Sequence, residues 1–268
     1  MTAVVISEPI MGIVPVGARH PDDLDRLARC LVSVRSTAPA LALLVAETGW
    51  SDPELTPAVV AASDELGIVH APYEGESPSI GQAVGGGMRV AVELGHAAVV
   101  VDPDVELRAA GWLERLIART DSHGRPAAVV GARTVYDGDV VDQVGMYFSL
   151  YERRWRPRYR CAPALLPAAL APERCPVAAG VVLVRLHALR TIGGYDPGYT
   201  TGQAELDICL RAFAAGLECV VEPAVEAVRL RRPGSIAAFP AAALRATEAH
   251  LLTTHWETDM TAWVPAVL

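Results

Sequence analysis

The chain has 268 residues, about half of them hydrophobic and a fifth charged, and a formal net charge of −8. That size buries one large core, and the negative balance argues against a nucleic-acid binder, which needs surplus Lys and Arg to displace phosphate counterions. No apolar stretch reaches bilayer-spanning length and no basic-then-apolar leader opens the chain, so the expected location is cytoplasmic.

The first hundred residues alternate between short apolar runs and helical patterns. Ile10–Val16 reads as a strand ending in Pro15-Val16-Gly17-Ala18-Arg19, and 22–36 as a helix with Leu24, Leu27, Leu31 and Val34 on one face. Leu41–Ala46 reads as a second strand, running out at Glu47-Thr48-Gly49-Trp50-Ser51-Asp52. Pro53–Leu66 follows as a helix with proline in its first turn and Asp52 as its N-cap. Gly67–Ala71 is a third strand, Ser79–Leu94 a helix rich in small residues including Gly81 and Gly85, and His96–Val101 a fourth strand. Strands apolar on both faces and separated by helices predict a mostly parallel sheet covered on both sides, with ligands at the strands' carboxyl ends. Arg19, Glu47, Asp52, Asp102 and Asp104 are therefore expected on one rim.

The second half is more mixed. A helix is expected at Trp112–Thr120, a strand at Ala127–Arg133 and an extended segment at Val140–Ser149. Residues 157–175 are proline-rich and read as a long mobile loop. Val177–Val184 is a buried strand and Glu205–Ala215 a helix with Leu206, Cys209, Leu210 and Phe213 inward. Glu218–Val221 and Val225–Leu230 read as two short strands, and Ala237–His255 as mostly helical. With no linker visible, the chain reads as a single domain, divided functionally into 10–108 and 109–268.

The five cysteines and seven histidines are scattered without metal-ligand spacing, so any metal must be held mainly by carboxylates. Asp102-Pro103-Asp104 stands where a buried strand ends. Two carboxylates one residue apart can approach magnesium or manganese, which keep waters and accept phosphate oxygens beside one or two protein carboxylates. The same triplet is also compatible with a strand-ending turn carrying two solvated aspartates.

The order of features resembles glycosyltransferase family 2 across roughly residues 10–230. Pro15 and Arg19 sit as in the family's opening loop. Glu47-Thr48-Gly49-Trp50-Ser51-Asp52 resembles its acidic nucleotide turn. Ala83-Val84-Gly85-Gly86-Gly87-Met88-Arg89-Val90-Ala91 is similar to its small-residue helix, Asp102-Pro103-Asp104 to its metal motif, and Gly193-Gly194-Tyr195-Asp196 to its Gly-Gly-Phe-Asp. Glu205-Leu206-Asp207-Ile208-Cys209-Leu210-Arg211 resembles its catalytic segment. The resemblance implies a GT-A fold and an inverting sugar transfer from a nucleotide diphosphate donor to a hydroxyl acceptor on a small molecule, lipid or glycan. It also implies a divalent metal, Mn2+ or Mg2+, stabilising the leaving diphosphate. Pro15, Val16, Gly17, Arg19, Glu47, Asp52, Gly81, Gly85, Asp102 and Pro103 would bind the nucleotide sugar. Asp104, with Asp102, would hold the metal, and Glu205 or Asp207 would be the general base.

Two departures accompany the resemblance. The metal-binding histidine of many relatives is replaced by a stretch containing Arg229, Arg231 and Arg232, so arginines could share the charge neutralisation. The segment 151–160 holds five arginines, Arg158 among them. It reads either as a lip for anionic groups and sugars or as a solvated loop. Trp256 is a further candidate acceptor contact. No nucleic acid or membrane span is expected, and a homodimer is compatible with the sequence. Two other readings stay open: a non-catalytic nucleotide-sugar binder and a sugar-nucleotide nucleotidyltransferase.

Overall fold

The computed structural model describes residues 8–230, except 77, 137–138, 150, 153, 178–179 and 201–202, and also Leu252. The predicted helix at 237–255 and the candidates Arg231, Arg232 and Trp256 lie outside the described residues.

The amino-terminal alternation is β1 (Ile10–Val16), α1 (Pro21–Thr37), β2 (Ala42–Glu47), α2 (Thr56–Glu65), β3 (Val69–Ala71), α3 (Ile80–Glu93) and β4 (Ala97–Val101). Local chemistry sets these boundaries. At the head of α1, His20 Nδ1 accepts the Asp22 N–H and Asp23 Oδ2 accepts the His20 N–H, while Pro21 supplies a pre-set φ. Ser79 caps α3 by accepting the Gln82 N–H at 3.0 Å. The expected cap at Asp52 is a correction. Its carboxylate accepts the Glu54 N–H at 3.0 Å and forms a separate turn, so α2 starts at Thr56, with Pro57 in its first turn.

After β4 come β5 (Val105–Leu107), α4 (Trp112–Ala118), β6 (Val129–Tyr136), β7 (Val140–Gln143), β8 (Met146–Ser149) and β9 (Arg154–Pro157). A 3-10 turn at Pro167–Leu170, β10 (Glu173–Arg174), β11 (Val181–Val184), α5 (Leu186–Ile192), α6 (Gln203–Ala214) and β12 (Cys219–Arg229) complete the described elements. The strands β5 and β9 and the helix α5 were not foreseen. The predicted 140–149 segment is divided by Gly145, whose φ of +77° only glycine adopts readily. The predicted pair at 218–230 is one strand with a register shift between Glu222 and Glu226, at Pro223, which has no N–H for the ladder. The proline-rich 157–175 stretch is not a free loop. It carries a bridge from Pro163 to Val140, the Ala164 N–H donates to Asp139 O at 2.7 Å, and Ala169 is buried.

The main sheet runs β10-β12-β6-β11-β4-β1-β2-β3, with β5 on β12 and β7 on β6. β3, β2, β1 and β4 are mutually parallel, whereas β11 runs antiparallel to both β4 and β6. Alternate side chains feed two cores. Ile13, Ala98 and Val100 face α3, α5 and α6 with Val84, Met88 and Leu206, while Val14, Val99 and Val101 face α1, α2 and α4 with Leu27, Leu31 and Trp112. Burying each such aliphatic side chain contributes about 1.5–3 kcal/mol. Both cores draw residues from before and after residue 108, so the β4–β11 ladder joins the two predicted halves.

Candidate active site

At the carboxyl ends of the parallel strands, the β1 and β2 loops are fastened together. Val16 pairs with Glu47, and the Val16 carbonyl accepts both the Thr48 N–H (2.8 Å) and the Thr48 hydroxyl (2.9 Å). The Asp52 N–H donates to Ala18 O at 2.7 Å. Gly17 is required by this closure, because a Cβ there would stand 2.8 Å from Trp50 Cβ. Pro15 is buried within β1, whereas the Arg19 side chain is exposed beyond its end. Glu47 is buried, and its Oε1 and His70 Nε2, 3.8 Å apart, have no hydrogen-bond partner among the described residues. Two adjacent unsatisfied polar atoms at strand ends suit a polar ligand edge.

The β1–β4 register pairs Ile13 with Val100, which puts Pro15 level with Asp102 two residues on. Asp102 is clamped by Gly180 at the start of β11: its N–H donates to Gly180 O, and the Gly180 N–H returns to Asp102 Oδ2, both at 2.8 Å. Beneath it, the buried Cys30 thiol of α1 donates to the Asp102 carbonyl at 3.3 Å. Burial and the two aspartates push that thiol's pKa upward, so it stays neutral as a core residue. Pro103 forms the turn between the aspartates, and the Asp104 carbonyl accepts the Leu230 N–H at 2.7 Å, which ties the motif to the end of β12.

Arg229, the last residue of β12, completes the arrangement. Its Nη1 donates to Asp104 Oδ1 at 2.6 Å and to Asp102 Oδ2 at 3.1 Å, and its Nε donates to Asp142 Oδ2 at 3.2 Å. Asp142, on β7, is fixed by the Tyr136 hydroxyl (2.7 Å) and by Thr134 Oγ1 (3.3 Å). Burial acts to lower the guanidinium's pKa, but Asp104, Asp102 and Asp142 outweigh it and raise it. For Asp102 burial dominates instead, so its pKa is raised despite Arg229. Tyr136 is pushed up to about 12, by burial first and then by Asp142.

The donor set fits a hard divalent ion. Three carboxylates and one guanidinium sum formally to −2, and Asp104 Oδ2 accepts no hydrogen bond among the described residues. Mg2+ or Mn2+ can be held through such a single carboxylate when phosphate oxygens and waters complete the shell. Among the described residues no three His, Cys, Asp or Glu side chains form a ready-made cage.

The second cluster lies at the head of α6, where Glu205 and Asp207 are both buried. Asp207 Oδ2 accepts Arg211 Nε at 2.7 Å, and Arg211 in turn donates to the Ile192 carbonyl and, at 2.8 Å, to Gly194 O. Asp207 thus anchors the turn after α5. Tyr195 on that turn is buried, its hydroxyl has no hydrogen-bond partner among the described residues, and its pKa is raised by burial first, then by Glu205.

Gly81 and Gly85 serve this same turn. A Cβ on Gly81 would lie 2.1 Å from Asp196 O, and one on Gly85 would lie 2.6 Å from Tyr195 O. The first turn of α3 is also consumed by protein groups: the Gly81 N–H donates to Tyr199 O at 3.0 Å, and the Ser79 hydroxyl donates to Pro197 O and Tyr199 O. Both glycines are therefore needed for close packing against this turn. In the arginine-rich segment, Glu152 pairs with Arg154 and Arg156, and Arg158 stacks over Tyr159 at 5.5 Å. Arg160, not Arg158, contributes to the field at Tyr136 beside Asp142. Asp142, Gly180, His70 and the Tyr195 hydroxyl were missed from sequence; no motif marks the first three, and Tyr in place of Phe at 195 was the available signal.

No protein-family profile matches the sequence, and no curated protein matches it. Solved structures do. GalNAc-T7, solved with UDP, GalNAc and Mn2+, aligns with TM-score 0.61 at 15% identity over 85% of this chain. The mannosyltransferase PcManGT from Pyrobaculum calidifontis, in complex with GDP-Man and Mn2+, gives 0.59 at 14% over 95%, and a mycobacterial protein gives 0.51 at 17% over 85%. The chain spans 44% of the length of the first and 66% of the second. These likenesses establish the GT-A fold: a large, mostly parallel sheet flanked by helices.

Proposed function

We propose that the chain is an inverting glycosyltransferase of family 2 that moves a sugar from a nucleotide diphosphate donor to a hydroxyl acceptor. The observation that carries this reading is the partly buried Asp102–Arg229–Asp104 cluster at the carboxyl end of β4 in a GT-A fold, with Glu205 buried at the head of α6. The structural relatives solved with nucleotides or nucleotide sugars and Mn2+ support it.

In this reading the β1 and β2 loops, with Pro15, Val16, Gly17, Glu47 and Asp52, cradle the nucleoside, and Asp102 orients the ribose side of the diphosphate. Asp104, supported by Asp102, would hold a divalent ion, whose chemistry would be Lewis-acid stabilisation of the leaving diphosphate. Arg229 adds a fixed positive charge to that leaving group. Glu205 removes the acceptor proton as the acceptor oxygen forms its bond to the anomeric carbon on the face opposite the diphosphate. The bond from that carbon to the phosphate oxygen breaks, and its electron pair leaves with the diphosphate. Positioned base catalysis of this kind contributes about 10²–10⁴-fold. Asp207 keeps the Glu205 helix and the Tyr195 turn in register.

Calorimetry with uridine, guanosine and thymidine diphosphate sugars, with and without Mn2+, followed by assay of donor hydrolysis, tests the reading. One donor binds more tightly with Mn2+ and is slowly hydrolysed, and Glu205→Gln keeps binding while turnover falls at least 100-fold. Binding with no turnover, indifferent to Glu205→Gln, would make the chain a donor-binding protein. Pyrophosphate-dependent release of nucleoside triphosphate would make it a nucleotidyltransferase. Metal-independent binding unchanged in Asp104→Ala would remove the role given to Asp104.

A further inference from the structure

Arg229 stands where a divalent ion and a guanidinium would share the same carboxylates. Its Nη1 lies 2.6 Å from Asp104 Oδ1 and 3.1 Å from Asp102 Oδ2. A divalent ion held by the Asp104 carboxylate would share that group with the guanidinium already on its Oδ1, and the two cations would compete for the same negative charge. The guanidinium is not locked on every edge. Nε is anchored on Asp142, itself held by Tyr136 and Thr134, while Nη2 donates to nothing among the described residues. An arginine fork presents paired N–H groups that match phosphate oxygens. Anchored at Nε, the group can turn its Nη edge from carboxylate to phosphate with little motion of its stem.

We propose that Arg229 is the donor site's resident cation. It occupies the Asp102–Asp104 carboxylates in the donor-free protein, competes there with a divalent ion, and passes its Nη contacts to the diphosphate when metal and diphosphate bind together. This rests on the donor site proposed above, and it makes metal binding conditional on the diphosphate. The free protein then holds its three carboxylates without a metal, and the metal enters with the ligand whose charge releases Arg229.

The test is Mn2+ titration of the full donor-free chain, by calorimetry and by the electron paramagnetic resonance signal of free Mn2+. The wild type binds weakly, Arg229→Lys stays within threefold of it, and Arg229→Gln binds at least tenfold more tightly. Adding Asp104→Asn to Arg229→Gln abolishes the gain. Equal or weaker Mn2+ affinity in a folded Arg229→Gln would overturn the proposal. Should that variant fail to fold, the side-chain Nε–H resonance of Arg229 in the wild type, assigned with Arg229→Lys, decides. It stays in place with Mg2+ alone and moves with Mg2+ plus inorganic pyrophosphate; movement with Mg2+ alone, or no movement with both, refutes the handover. Neither readout needs sugar transfer, so a chain that never turns over a donor can still pass, and an active transferase can still fail.

Discussion

Helix α3 contains three consecutive glycines whose environments differ enough to predict opposite signs for one substitution. A Cβ on Gly86 meets nothing nearer than Arg89 Nη2 at 3.7 Å, whereas one on Gly85 lies 2.6 Å from the Tyr195 carbonyl oxygen. Gly86→Ala lowers the entropy of the unfolded chain and gains helix propensity, so it should stabilise by about 0.5–1 kcal/mol. Gly85→Ala gains the same amount but must push a backbone carbonyl back by roughly half an ångström or more. Overpacking of this kind costs about 1–3 kcal/mol, for a net loss of roughly 1–2 kcal/mol. In a protein of this size 1 kcal/mol shifts the melting temperature by about 2–4 °C. Thermal denaturation should therefore show Tm raised by about 1–4 °C for Gly86→Ala and lowered by about 2–8 °C for Gly85→Ala. Gly81→Ala, with two carbonyls at 2.1 and 2.6 Å, should fall at least as far as Gly85→Ala. Because the displaced segment carries Tyr195 beside Glu205, donor turnover should also drop in Gly85→Ala and hold in Gly86→Ala. Equal stability of these two variants would show that α3 does not close on the 195–199 turn as described.

Two further outcomes separate structural from chemical carboxylates. Asp207→Asn strips Arg211 of its charged partner and should cost roughly 2–3 kcal/mol in urea denaturation, less than for a fully buried pair because Arg211 is about a quarter exposed; lost turnover at unchanged stability would instead make Asp207 the base. At the opposite end of the sheet, Glu218 accepts Ser122 Oγ at 2.6 Å and the Ser122 N–H at 2.9 Å. Burial raises its pKa, but the Ser122 contacts and Arg174 outweigh it, and the folded value is lowered. A lowered carboxyl pKa gives stability that is present above the unfolded value and lost as pH falls through the folded one. Ser122→Ala should accordingly move the acid-unfolding midpoint to higher pH and leave the difference from wild type constant above pH ~6; a difference that grows on the alkaline side would contradict the assignment.

The amino-terminal half was readable because its information is local. Ile10–Val16 is apolar on both faces and matched its predicted ends, and His20, Pro21 and Ser79 mark helix starts by their own hydrogen-bonding chemistry. The misreadings share one cause: a backbone feature that composition does not rank. Asp52 carries a capping side chain, but its carboxylate closed a turn on Glu54 first. Pro223 looked like a strand end and is a bulge inside β12, because β6 continues the pairing on the far side of it. The strands β5 and β9 are short pieces whose pairing comes from β12 and β8, so nothing within their own few residues distinguishes them from loop.

The candidate site divides along the same line. Asp102 and Asp104 sit two residues apart and announce themselves, as do Glu205 and Asp207 at a helix head. Their partners do not, because Arg229 reaches the aspartates across 125 and 127 residues and Asp142 across 87. The sequence offered Arg229 as one of several arginines where the family it resembles often has a histidine. Only the β12–β5 register, Arg229 against Val105, turns that substitution into a geometry. A histidine there would leave the three carboxylates with a neutral neighbour and a site that a metal must fill. An arginine supplies their countercharge from within the chain, stabilising the buried carboxylates in the absence of metal. In the proposal made above, an arginine at this position bears on when a cation reaches Asp104.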